Sequence, residues 1–186
     1  MTDRLTLDPR RTALVLIDLQ RGILALPGLT PHSADEVLSR CTALAERFRA
    51  AGAPVVLVHV DLAAAPPSQL VDQPMAGPPP ADFAVLADGL ERPGDIVVLK
   101  RHWGAFTGTE LDLRLRRLHV DTIVLAGIAT TIGVESTARN AWELGYNVVI
   151  APDACSAPGE GLHAFSVTRT LPRIARLRDS EAITLG

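Results

Sequence analysis

The chain has 186 residues, a formal net charge of −3 and 47% apolar content. At ~100–200 residues per domain this is a single domain, 1–186, large enough to hold a core without metal or disulfide. The mild acidity argues against a nucleic-acid partner gripped by a broad basic surface, and no apolar run approaches the ~20 residues of a membrane span.

The opening MTDRLTLDPRR lacks the apolar centre of a signal peptide and points to the cytoplasm. Cys41 and Cys155 lie outside any CxxC and read as small buried hydrophobes. Seventeen of the eighteen basic residues are arginine, and Lys100 is the only lysine. Arginine cannot lose its proton whereas a buried lysine can shift, which draws attention to that position.

Short apolar runs alternate with helical patterns. Thr12 to Asp18 (TALVLID) reads as a first strand. Ser33 to Ala51 reads as a helix: Ser33 and Glu36 form a capping box, Gly52 ends it, and Val37, Leu38, Cys41, Leu44, Ala45 and Phe48 share one face. Pro54 to Asp61 is a second strand. Leu62 to Gly94 is proline-rich, with a short helical piece at Asp82 to Ala87; a loop of this length is a lid or an oligomer contact. Asp95 to Lys100 is a third strand, Thr109 to Leu118 a helix capped by Thr109, and Asp121 to Gly127 a fourth strand. Thr131 to Leu144 is a helix, Asn147 to Ala151 a fifth strand, Leu162 to Leu171 a helix, and Ile174 to Leu177 a short last strand.

The strands are continuous apolar runs, as expected where helices cover both faces of a parallel sheet. Strand–helix alternation gives right-handed βαβ units and a three-layer α/β/α domain. Ligands of open α/β sheets bind beyond the carboxyl ends of the strands. Asp18, Gln20, His59, Asp61, Lys100 and the turn GIATTIG at 127–133 all fall there. An acid and an amine sheltered together can act as a general acid/base and its charged partner, or simply close a strand end as an ion pair. The strand-to-helix turn can offer backbone amides to an anion, or be a plain helix start.

The segments LVLIDLQ (14–20), LKRHWGAFTGTELD (99–112) and GIATTIGVESTARNAWELGYNVVIAPDACSA (127–157) resemble the signature segments of the isochorismatase-like hydrolases, a superfamily that includes nicotinamidases and N-carbamoyl amide hydrolases. The resemblance implies a parallel six-stranded sheet of order 3-2-1-4-5-6 and, in most members, an Asp–Lys–Cys triad. Asp18 and Lys100 match its first two positions, but Gly133 stands where the nucleophilic cysteine belongs. Amide hydrolysis by a thiolate is then not expected. Isochorismatases proper, which hydrolyse a vinyl ether, also carry glycine there. Asp18 can protonate an enol ether without a covalent intermediate, with Lys100 orienting a carboxylate or tuning the acid.

The resemblance further implies a cis peptide at Ile128–Ala129 that turns amides of Ile128, Ala129, Thr130 and Ile132 toward a small-molecule substrate. Gln20, Trp103 and Phe106 are candidate substrate contacts; hydrogen bonding in the neighbourhood of Asp18 is the alternative for Gln20, and ordinary packing is the alternative for both aromatic rings. No cofactor and no metal are expected: after the second strand only His59 and Asp61 are in place, fewer than the three or four ligands of a zinc site. His32, His119 and His163 read as surface or helix-end residues. Trp142 and Tyr146 are expected to pack on a helix or at a subunit contact. The family resemblance implies a homodimer or homotetramer. A catalytically silent binding protein that keeps the family pocket is the rival reading.

Overall fold

A computed structural model describes residues 3–64, 71–73 and 77–186. Its strands are β1 (Leu5–Leu7), β2 (Thr12–Ile17), β3 (Leu29–Thr30), β4 (Val55–Val60), β5 (Ile96–Lys100), β6 (Thr122–Ile128), β7 (Asn147–Pro158), β8 (Arg176–Leu177) and β9 (Ile183–Leu185). Its α-helices are α1 (Arg21–Leu24), α2 (Ala34–Ala50), α3 (Leu111–Arg117), α4 (Glu135–Glu143) and α5 (Leu162–Phe165).

The main sheet runs β5-β4-β2-β6-β7-β8 with every neighbouring pair parallel. Numbered by the strands expected from the sequence, this is the order 3-2-1-4-5-6. Short β3 adds an antiparallel pairing, Leu29 opposite Pro158, at the far end of β7. Outside this sheet, β1 and β9 form a separate parallel pair.

Apolar β2 and β6 are buried along their whole length, as the uninterrupted hydrophobic runs require. α2 covers the sheet through buried Val37, Cys41, Leu44, Ala45 and Phe48, and its capping box is formed as expected: the Glu36 amide donates to Ser33 Oγ at 3.3 Å and the Ser33 amide donates to Glu36 Oε2 at 2.9 Å.

Several local expectations need correction. The helix expected from Thr109 starts at Leu111 with Glu110 as its N-cap. The Thr109 hydroxyl instead bridges, donating to Ala105 O at 2.5 Å and accepting from the Leu111 amide at 3.2 Å. The helix expected from Thr131 begins with a π-helical turn, Thr130–Val134, before α4. The helix expected over Leu162 to Leu171 breaks into α5, a π-helical turn at Ser166–Thr170 and a 3-10 turn at Leu171–Arg173; Pro172 removes a helical donor there.

Asp82 to Ala87 forms turns and one bridge, Leu86 to Gln20, rather than a helix. The lid or oligomer-contact reading of Leu62 to Gly94 falls partly on 65–70 and 74–76, which lie outside the described residues. Among the described residues no helix is long and apolar enough to cross a membrane.

Candidate active site

The parallel register aligns the carboxyl ends of four strands: Ile17 opposes Val58 on β4 and Gly127 on β6, and Val60 opposes Lys100 on β5. Asp18 follows β2 directly and takes a left-handed φ of 54°, a region Asp tolerates better than most residues. Its amide donates to Val58 O at 2.8 Å, which holds the turn onto the sheet. Strands β2 and β5 are separated by β4, a gap of about 10 Å at ordinary strand spacing. The lysine stem crosses it, and Lys100 Nζ reaches Asp18 Oδ2 at 2.8 Å.

Lys100 Nζ also donates to Trp103 O at 2.7 Å. Both residues are buried, Asp18 5% and Lys100 2% exposed. Among the described residues, Asp18 Oδ1 has no hydrogen-bond partner. Burial is the main influence on Asp18 and raises its carboxyl from 3.8 to about 6; the charges of Lys100 and His59 oppose that rise. The acid therefore has an accessible neutral form at mildly acidic pH.

A β-carbon built on Gly133 would lie 2.8 Å from Ile17 Cγ2, 3.0 Å from Asp18 Oδ2 and 3.2 Å from Lys100 Nζ. Residue 133 thus faces the pair at a distance that leaves little room for a side chain. The turn that delivers it follows the cis Ile128–Ala129 peptide. Ala129 O accepts the amides of Ile132 and Val134, each at 3.1 Å. Thr137, one helical turn on, donates to Gly133 O at 2.6 Å and accepts from the Ala105 amide at 3.0 Å.

The other candidate residues take varied positions. Gln20 is fully buried and its side-chain amide bonds to backbone: Nε2 donates to Val60 O (2.9 Å) and Phe83 O (2.8 Å), and Oε1 accepts from Val60 N (2.6 Å). Trp103 is 66% exposed and meets the pair through its carbonyl. The Phe106 ring packs on Tyr146, centroids 5.5 Å apart, which is the packing alternative. Ile128, Ala129 and Thr130 are buried, and Ile132 lies at the exposed edge of the turn.

Trp142 is largely exposed on α4, while Tyr146 is buried with its hydroxyl donating to Asp112 Oδ1 at 2.8 Å. His163, expected at the surface or a helix end, lies in the first turn of α5 and is buried, with Nδ1 2.8 Å from Thr130 Oγ1. Thr137 was not singled out from the sequence; its spacing four residues after Gly133 was the available signal. Cys41 and Cys155 are buried in the core, and burial pushes both thiols up, Cys155 to about 12. Neither suits a thiolate role.

A surface cleft of about 720 Å³ lies at the opposite, amino ends of the strands, between β1 and the starts of β6 and β7, away from Asp18. Among the described residues no three His, Cys, Asp or Glu side chains gather as a metal site would need.

The isochorismatase domain family matches residues 12–182. The chain is 52% identical over 187 aligned residues to the isochorismatase family protein YecD of Escherichia coli O157:H7, covering 96% of this chain and 97% of that one. It is 31% identical to the ureidoacrylate amidohydrolase RutB of Methylobacterium radiotolerans, covering 86% and 72%. Among solved structures, an isochorismatase family protein from Burkholderia thailandensis superimposes with a TM-score of 0.90 at 41% identity, covering 97% of each chain.

Proposed function

The chain belongs to the isochorismatase family of hydrolases, and on that premise we propose that it hydrolyses a small vinyl ether of the isochorismate type, with Asp18 as acid/base and no cysteine nucleophile. The observation that carries this reading is the convergence of Asp18 Oδ2, Lys100 Nζ and the side-chain-free face of Gly133 within about one contact distance of each other.

Protonated Asp18 gives its proton to the methylene carbon of the enol ether. The carbon–carbon double bond supplies the electron pair, and an oxocarbenium forms at the carbon bearing the ether oxygen. Water adds there and returns a proton to Asp18. The hemiketal then collapses, releasing an alcohol and pyruvate. Lys100 supports the carboxylate form of Asp18 between turnovers and has donor capacity left for a substrate carboxylate, since a lysine carries three N–H donors. The backbone of 128–132 lines the approach from β6.

Thiolate attack on an amide, the route open to a cysteine at this position, has no atom at Gly133 to perform it. Similarity to an amidohydrolase therefore supports the fold and the hydrolase class more than the amide substrate.

The test is pyruvate release from isochorismate beside a panel of ureidoacrylate, nicotinamide and N-carbamoyl amides. Pyruvate release, lowered at least ~100-fold in Asp18→Asn, is expected. Amide hydrolysis by the unaltered chain, or full turnover in Asp18→Asn, overturns the reading. Tight binding of panel members in a thermal-shift assay without any hydrolysis favours a silent binding protein.

A further inference from the structure

We propose that His163 is a positioning residue, which fixes the Thr130 hydroxyl and through it the turn that presents Gly133 to Asp18 and Lys100. The inference deepens the proposed vinyl-ether reading and rests on the same site.

Thr130 opens the π-helical turn and is wholly buried. A buried hydroxyl needs a partner. Its partner does not come from the turn itself but from α5, where His163 Nδ1 stands 2.8 Å from Thr130 Oγ1. His163 is 7% exposed, and α5 packs against both the turn and β7.

A second tie lies at the other end of the turn. Glu135, the first residue of α4, accepts from Ser166 Oγ at 2.5 Å and from Thr170 Oγ1 at 3.0 Å, while Arg139 holds its other oxygen at 2.7 Å. The segment 163–170 therefore grips the chain at Thr130 and at Glu135, on either side of Gly133. The turn is too short to move at Gly133 while both ends are fixed.

The uncharged form of the ring is favoured. Burial is the main influence holding His163 below its usual range, and His32 adds to it; the His32 ring meets His163 edge-on with centroids 6.3 Å apart. A neutral imidazole keeps one nitrogen as acceptor and one as donor, so either tautomer satisfies Thr130. The hydrogen bonds of His163 and Thr130 do not include Asp18 or Lys100, so any effect on the reaction passes through the turn.

The experiment compares His163→Leu, His163→Asn, Thr130→Val and Thr130→Ser, reading kcat and KM for pyruvate release from isochorismate and the backbone amide resonance of Gly133 by NMR. An asparagine amide can stand where Nδ1 does, and serine keeps the hydroxyl. His163→Leu and Thr130→Val are each expected to lower kcat ~10–100-fold with KM little changed, because a displacement near 1 Å costs about that much. The double variant is expected to be no worse than the singles. His163→Asn and Thr130→Ser should restore most of kcat and return the Gly133 resonance.

A folded His163→Leu protein with unaltered kcat and an unmoved Gly133 resonance overturns the proposal. If His163→Leu does not fold, the nearly isosteric Thr130→Val decides by the same two readings. If the unaltered chain releases no pyruvate, the vinyl-ether reading fails, and the resonance decides alone: movement in His163→Leu with recovery in His163→Asn supports the tie, and an unmoved resonance removes it.

Discussion

Gln20 and Val60 are joined through both ends of one side-chain amide, Oε1 accepting from the Val60 N–H at 2.6 Å and Nε2 donating to the Val60 carbonyl at 2.9 Å. The same Nε2 also reaches Phe83 O at 2.8 Å, so one buried side chain pins the end of β4 and the returning loop. Gln20→Ala leaves these backbone groups unpaired in the interior. The expected loss is about 2–4 kcal/mol of unfolding free energy, read from the denaturant midpoint at unchanged slope.

The pH dependence follows from Asp18. Its carboxyl titrates at about 6 in the folded chain against 3.8 in the reference state, mainly through burial. Between these values the folded protein holds a proton that the unfolded chain has released. Stability from this group therefore falls as pH rises through that window and levels off above about 6, a total on the order of 3 kcal/mol. The difference in unfolding free energy between the unaltered chain and Asp18→Asn should drift toward the variant by most of that amount from pH 4 to 7. Since the reaction uses the protonated acid, kcat/KM for pyruvate release should decline above about pH 6. A flat profile from pH 5 to 8 would count against the assignment.

Gly127 is required by close approach as well as by conformation. It has a φ of 120°, and a β-carbon added there would collide with the Ile17 carbonyl oxygen across the β2–β6 pairing. Gly127→Ala is expected to cost more than about 3 kcal/mol and to lower the yield of folded protein. A variant with the unfolding midpoint of the parent would refute this account.

Arg49 and Asp95 clamp the last turn of α2 to the start of β5. Arg49 Nη2 reaches Asp95 Oδ2 at 2.6 Å and Leu90 O at 2.9 Å, and Nε reaches Oδ1 at 3.1 Å. The carboxylate is nearly buried, 4% exposed against 17% for the arginine side chain. Arg49→Met should cost about 2–3 kcal/mol, the low side for a breached buried pair because the arginine keeps some water. Arg49→Lys should recover only part of it, since an ammonium lacks the planar fork. Thermal unfolding of the two variants checks both statements.

What could be read from the sequence follows the range of the forces involved. The α2 helix was legible because its cap, apolar stripe and terminating glycine lie within one short segment. The central strands were legible because burial on both faces leaves unbroken apolar runs. Asp18 and Lys100 stand where β2 and β5 end, and the family resemblance supplied the reason to pair them.

The roles of Gln20 and His163 were not legible. Their partners, Val60 and Thr130, are set by how distant elements dock, and nothing in the neighbouring residues encodes that. Thr109 misled because Thr is a favoured cap, yet here its hydroxyl is already engaged by Ala105 O. Strands β1 and β9 escaped notice because each is three residues long and its partner lies at the other end of the chain.

That last pairing makes folding visible from outside. Leu5 sits beside Ile183 and Leu7 beside Leu185, with Thr6 and Thr184 hydroxyls 3.1 Å apart. Fluorophores attached near the two termini would report strong energy transfer in the native state. In the denatured coil their mean separation grows to roughly 100 Å, and the transfer vanishes. Unfolding of the whole domain can then be followed optically, with labels placed at the β1–β9 pair and every residue of the cleft left as it is.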